Sequence, residues 1–184
     1  KMGGMKPICA IYSTFLQRSV DQLFQELALI KLPVLLALDR AGLVGPDGAT
    51  HNGVFDISYI SMLPNFVVMA PRDATELRKM MDFGLELGLP SAVRFPRTNS
   101  PKPELELPFT QDLEVGKAEV LRKGDDGAVL AYGAMVFTST TNATANLARM
   151  GATSIRSRIE NVPAMKEAMA AMPSAGPARP RFAI

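Results

Sequence analysis

The chain holds a single cysteine, Cys9, and that scarcity excludes an intrachain disulfide framework. Cys9 lies in the apolar run 8–11, where a buried small hydrophobe is expected rather than a reactive thiol. Long hydrophobic runs are missing too. No stretch reaches the roughly 18 residues that a membrane helix needs, and no signal peptide is visible, so no membrane partner is expected and the cytoplasm is the default location. Neither sign of charge dominates: 20 Lys and Arg against 18 Asp and Glu leave a formal net charge of +2, which makes no case for nucleic-acid binding. What the chain has in quantity is apolar side chains, 47% of its 184 residues, enough to bury the core of one domain and the start of another.

Short apolar runs at 8–12, 34–38, 67–70 and 92–95 read as buried parallel strands, because they are continuous rather than alternating. Between them lie helical patterns. Leu16, Val20, Leu23, Phe24, Leu27 and Ile30 recur at helical spacing and predict an amphipathic helix over 15–30. Asp73 with Glu76 three residues on resembles a capping box and opens a helix over 74–87. Pro33, Pro71, Pro90 and Pro96 punctuate the element ends. Strand–helix repetition of this kind predicts an α/β fold, a doubly wound and mostly parallel sheet. Residues 98–112, with Pro101, Pro103 and Pro108, break the pattern as a linker. A second α/β unit is expected from about Val115, with 128–132 as its first strand, and the Pro-, Ala- and Arg-rich tail is expected to be irregular.

The chemistry-bearing stretch is 39–53, Asp-Arg-Ala-Gly-Leu-Val-Gly-Pro-Asp-Gly-Ala-Thr-His-Asn-Gly, directly after the second strand. Ligands of open α/β sheets bind beyond the carboxyl ends of strands, so the position suits a site. Its glycines allow sharp turns and close backbone approach. Arg40, Asp47 and His51, the chain's one histidine, place an anion binder, an acceptor and a proton-transfer group in one loop. The loop is not a phosphate-binding P-loop, since the Gly-x-x-x-x-Gly-Lys-Ser/Thr signature is absent. A structural histidine and a surface Asp39–Arg40 pair are the competing explanations.

Three blocks carry a family resemblance: Ala10-Ile11-Tyr12-Ser13-Thr14-Phe15-Leu16-Gln17-Arg18, the run Asp39 to Asp56, and Arg94-Phe95-Pro96-Arg97. Their wording and spacing resemble the 1-deoxy-D-xylulose-5-phosphate synthase family, strongly over 5–100 and weakly over 101–137. The resemblance implies a transketolase-like pyrimidine-binding domain over 1–100 that lacks its N-terminal part, a linker over 101–114, the start of a transketolase C-terminal-like domain over 115–150, and an irregular tail over 151–184. It implies a transferase that uses thiamine diphosphate and Mg2+ to join pyruvate to D-glyceraldehyde 3-phosphate. The products are carbon dioxide and 1-deoxy-D-xylulose 5-phosphate, for isoprenoid, thiamine and pyridoxal precursors.

The same resemblance implies roles residue by residue. Phe15 matches the aromatic lying against the cofactor's aminopyrimidine ring. Tyr12 and Arg18 match residues lining the substrate pocket. Arg40 and Arg97 match the pair that holds the acceptor's phosphate, where two guanidinium forks suit a dianion. Without the match, Arg94 is an equal candidate. His51 and Asp47 match polar catalytic residues near the reacting carbons, His51 as a proton shuttle. Asn52, Asp56 and Tyr59 read as structural.

The family's Gly-Asp-Gly…Asn magnesium motif does not occur in this chain, and neither does its Gly-Ile-Ala-Glu-Gln segment, whose glutamate drives ylid formation. Residues 138–184 do not match the family's continuation. The expectation is therefore a fragment, incomplete at both ends and inactive alone, whose missing N-terminal cofactor domain and homodimeric partner complete the enzyme. Two alternatives stand beside it: a β-subunit-like half of a split transketolase or 2-oxo-acid dehydrogenase, and a non-catalytic phosphosugar-binding relic.

Overall fold

The computed structural model describes residues 3–100, 109, 111–122 and 129–140, together with the backbone of Arg181–Ala183. Strand β1 (Ile8–Tyr12) leads into a helical stretch of changing pitch. That stretch comprises α1 (Ser13–Leu16), a 3-10 turn (Gln17–Ser19), α2 (Val20–Gln22) and a π-helical segment (Leu23–Ala28). The apolar periodicity of 15–30 thus predicts the extent of the helix but not its irregular winding. Strand β2 (Leu35–Asp39) follows, then a loop with two 3-10 turns, α3 (Asp56–Ser61), β3 (Val67–Met69), α4 (Ala74–Glu86) and β4 (Ser91–Arg94).

The four strands pair in parallel in the order β1-β2-β4-β3. Alternate strand residues face opposite sides, and the two sides carry separate cores. Leu36 and Leu38 of β2, Val68 of β3 and Ala92 of β4 pack with Leu16, Leu23, Ile60, Leu63 and Phe66 from the α1–α2 and α3 side. Leu35, Val67, Met69 and Val93 face the other way and pack with Met80 of α4. The sheet is therefore doubly wound, as expected, and the chain reverses its winding direction between β3 and β4.

Helix α4 starts where the capping pattern places it. Asp73 accepts a hydrogen bond from the Glu76 amide at 2.8 Å. The reciprocal bond shifts by one residue, with Glu76 accepting from the Arg72 amide at 2.6 Å. Gly84 lets α4 lie close on the sheet, because a Cβ there would sit 2.8 Å from Leu35 Cδ1.

Three expectations are corrected. Cys9 is exposed rather than buried, because β1 is an edge strand with a partner on one side only. Residues 129–132 form no strand: among the described residues they have no ladder partner, and Val129 and Leu130 stand in solvent. Instead Gly133 donates its amide to the Ala70 carbonyl at 3.1 Å, and 135–140 are helical. Within the tail, Arg181–Ala183 forms strand β5, parallel to β3 at the sheet's other edge. Of the linker expected over 101–114, residues 101–108 and 110 lie outside the described residues, as do 123–128 and 141–150 of the expected second domain and 151–180 and Ile184 of the tail. Among the described residues, no helix is long and apolar enough to cross a membrane.

Candidate active site

Strand register assembles the site. Tyr12 pairs with Asp39, and Leu38 pairs with Arg94, so three strands end together at the carboxyl edge of the sheet. Their continuations carry the chemistry: Phe15 after β1, Arg40 after β2 and Arg97 after β4. Backbone bonds extend the ladder past the strands, from Phe95 N–H to the Leu38 carbonyl and from Ala41 N–H to the Phe95 carbonyl, each 3.0 Å.

Arg40 adopts a left-handed backbone conformation, φ 57°, which a non-glycine residue holds only when its surroundings enforce it. Asp39 supplies part of that enforcement, accepting from the Arg40 amide at 2.6 Å and pairing with its guanidinium. Arg40 Nε donates to Asp47 Oδ2 at 2.8 Å, while its Cζ lies 3.9 Å above the Tyr12 ring. Arg97 pairs with the other oxygen, Asp47 Oδ1. One carboxylate thus bridges two guanidiniums. The hydrogen bond from Arg40, helped by the charge of Arg97, holds the Asp47 carboxyl below its usual range. The same bond raises Arg40 above its ordinary value.

The loop that presents Asp47 and His51 is closed at its base. Gly42 and Gly53 exchange amide-to-carbonyl bonds of 2.7 and 2.9 Å. Asn52 staples the interior, accepting from the Val44 amide at 2.7 Å and donating to the Gly48 and Ala49 carbonyls. Gly53 is pressed against Ser13 so tightly that only glycine fits: a Cβ would lie 2.3 Å from Ser13 Oγ and 2.6 Å from the Arg40 carbonyl. His51 then meets the aromatics after β1. Its ring stands edge-on to Phe15 with centroids 5.4 Å apart and to Tyr12 at 6.4 Å. Tyr12 and Phe15 stack nearly parallel at 5.4 Å. His51 Nδ1 sits 3.0 Å from Thr50 Oγ1, and Thr14 donates to the Thr50 carbonyl at 3.2 Å.

The structure therefore brings together Tyr12, Phe15, Arg40, Asp47, His51 and Arg97. Arg18 is exposed on the 3-10 turn, and no hydrogen bond or ion pair among the described residues ties it to these six. Arg94 and Arg97 take different places. Arg94 Nε donates to the buried Asp56 carboxylate at 2.9 Å, whereas Arg97, 46% exposed along its side chain, reaches Asp47. Tyr59 anchors α3 by donating to the Ser13 carbonyl at 3.2 Å, and burial pushes its hydroxyl well above the ordinary value. Sequence reasoning passed over Thr14 and Thr50, which hold His51, and it weighed the Asp39–Arg40 pair only as a surface contact, where Asp39 clamps Arg40. Only adjacency to Arg40 signals Asp39.

The carboxyl edge of this doubly wound parallel sheet thus carries an aromatic pair, a histidine and two arginines, and the chain's relatives give its class. The transketolase pyrimidine-binding domain model matches residues 1–103, more than half of the chain, which belongs to that family. Among curated proteins, the chain is 52% identical over 134 residues to the 1-deoxy-D-xylulose-5-phosphate synthase of Synechococcus elongatus. It is 55% identical over 133 residues to the synthase of Nitrosococcus oceani. These alignments cover 73% and 72% of this chain but 21% of each relative, so the chain spans about a fifth of their length. Among solved structures, a split-gene transketolase described as an inactive β4 tetramer superposes with a TM-score of 0.70 at 26% identity. It covers 80% of this chain and 47% of that one.

Proposed function

We propose that this chain is the pyrimidine-binding part of a 1-deoxy-D-xylulose-5-phosphate synthase, condensing pyruvate with D-glyceraldehyde 3-phosphate and releasing carbon dioxide. The observation that carries the reading is the convergence of Arg40 and Arg97 on one carboxylate beside the Tyr12–Phe15 pair. Two arginines that meet one anion inside the protein have the spacing to meet a phosphate dianion together.

The residues fit one end of thiamine diphosphate. Phe15 is an aromatic left 38% exposed at the strand edge, an open ring face against which an aminopyrimidine stacks. Among the described residues no three His, Cys, Asp or Glu side chains cluster. When bound, the cofactor supplies the carbanion chemistry that joins the two substrates. The chain's own residues bind and orient around it. Arg40 and Arg97 hold the acceptor phosphate, and Tyr12 fixes Arg40 from beneath. Asp47 releases Arg97 to the incoming anion while keeping Arg40 aligned. His51, held at Nδ1 by Thr50, offers Nε2 to substrate oxygens and moves a proton there. For Arg18 the support is the motif match alone. Magnesium, the missing cofactor domain, a homodimeric complete enzyme and a cytoplasmic location belong to the same proposal.

A second reading is favoured by the split-gene relative: a half-enzyme that works with a separate cofactor-binding subunit. A calorimetric titration of the chain with D-glyceraldehyde 3-phosphate tests the shared core. Arg40→Ala and Arg97→Ala are each expected to weaken binding about tenfold or more, the scale of a lost charge-assisted contact. Equal affinity in both variants and the parent chain refutes the phosphate site. Restored turnover on adding a subunit that bears a Gly-Asp-Gly magnesium motif selects the half-enzyme reading.

A further inference from the structure

The two arginines stand on separate arms. Arg40 opens the loop that ends at Asp56, the first residue of α3. Arg97 follows β4 by three residues. Where those arms run side by side, Asp56 and Arg94 join them below the site. Asp56 is 1% exposed and Arg94 12% along its side chain, and they meet at 2.9 Å. Asp56 Oδ1 also accepts from the Ile57 amide at 2.8 Å, which locks the carboxylate's orientation. The Tyr132 ring lies 6.0 Å from Arg94 Cζ.

A buried ion pair is a poor source of stability, because desolvating two charges offsets most of their attraction; its use is to specify geometry. The arms are otherwise joined by the backbone bonds around Phe95 and by the Asp47–Arg97 pair. That last pair is exposed on the Arg97 side, and a phosphate on Arg97 competes with it. Once the anion is bound, the Asp56–Arg94 pair is the buried side-chain tie left between the arms among the described residues.

We propose that Asp56 and Arg94 are a positioning pair that sets the gap between Arg40 and Arg97, so that both guanidiniums reach one anion. The proposal rests on the phosphate reading above. Asp56 and Arg94 touch no ligand; they act through Arg97.

The test is an NMR titration of the whole chain with inorganic phosphate, following arginine side-chain and backbone amides. In the parent chain, Arg97→Ala weakens binding about tenfold or more, as does Arg40→Ala. Asp56→Asn is expected to weaken it about tenfold in the parent but less than twofold in the Arg97→Ala background, because the residue it positions is gone. Arg94→Lys keeps the charge but loses the planar fork, and it gives the same pattern if Asp56→Asn fails to fold. Equal losses in both backgrounds overturn the proposal, since they mean general loosening or direct anion contact by Arg94. Parent-like binding by Asp56→Asn and Arg94→Lys overturns it too. Binding untouched by both Arg40→Ala and Arg97→Ala removes the anion site itself, and the proposal with it.

Discussion

Replacing Gly53 by alanine tests how the loop is held. The added Cβ would lie 2.3 and 2.5 Å from Ser13 Oγ and Cβ, and 2.6 Å from the Arg40 carbonyl. Two of those three neighbours are a main-chain atom and a Cβ, so no rotamer change relieves the clash. Overpacking of this kind costs roughly 1–3 kcal/mol. If the Gly42–Gly53 bonds of 2.7 and 2.9 Å break in response, each adds about 0.5–1.5 kcal/mol. The expected loss is about 2–6 kcal/mol. With a urea slope of about 2 kcal/mol/M, the midpoint falls by about 1–3 M. His51 should leave the Phe15 and Tyr12 rings at the same time, which the ring-current shifts of its imidazole protons report. Gly45→Ala is the control: nothing lies within 4 Å of its Cβ position and its φ is not positive. That variant should be neutral or slightly stabilised. If Gly53→Ala unfolds at the same urea concentration as Gly45→Ala, the close packing of loop on Ser13 is not what holds the site.

Other outcomes follow from the same geometry. Phe66, 1% exposed at the centre of the α3-side core, should cost about 3–5 kcal/mol when cut to alanine, read from denaturant unfolding. Asp73→Ala removes the side-chain cap of α4 and should cost about 0.5–2 kcal/mol, with faster amide exchange in the first turn. Burial raises the Glu76 carboxyl above its ordinary value, against the opposing bond from the Arg72 amide. Its contribution is therefore favourable below the unfolded value and declines as pH rises through the raised folded one. Glu76→Gln should flatten that decline in urea midpoints measured from pH 4 to 7; an unchanged slope refutes the assignment.

How much could be read without coordinates differs by element. The strands were legible because parallel strands buried on both faces are written as short unbroken apolar runs. The start of α4 was legible because a capping box is local chemistry. The π-helical winding of 23–28 was not, since apolar spacing reports which face is buried and not the pitch. Helix α3 was missed: its six residues are too short to show a period. Cys9 was misjudged because sequence carries the polarity of a strand but not whether the strand is an edge.

By itself the sequence determined the α/β class, the loop at the end of β2 and, through three blocks of motif, the family. Those depend on residue type and spacing, which act locally. Tertiary structure decided which arginine stands where. Arg94 and Arg97 are three residues apart and chemically identical. The difference lies in what the fold sets opposite each: a buried carboxylate at the start of α3 for Arg94, and the shared Asp47 for Arg97. The register of three strands, summed over bonds between residues far apart in the chain, brings Tyr12, Arg40 and Arg97 to one edge, and no local pattern encodes that sum.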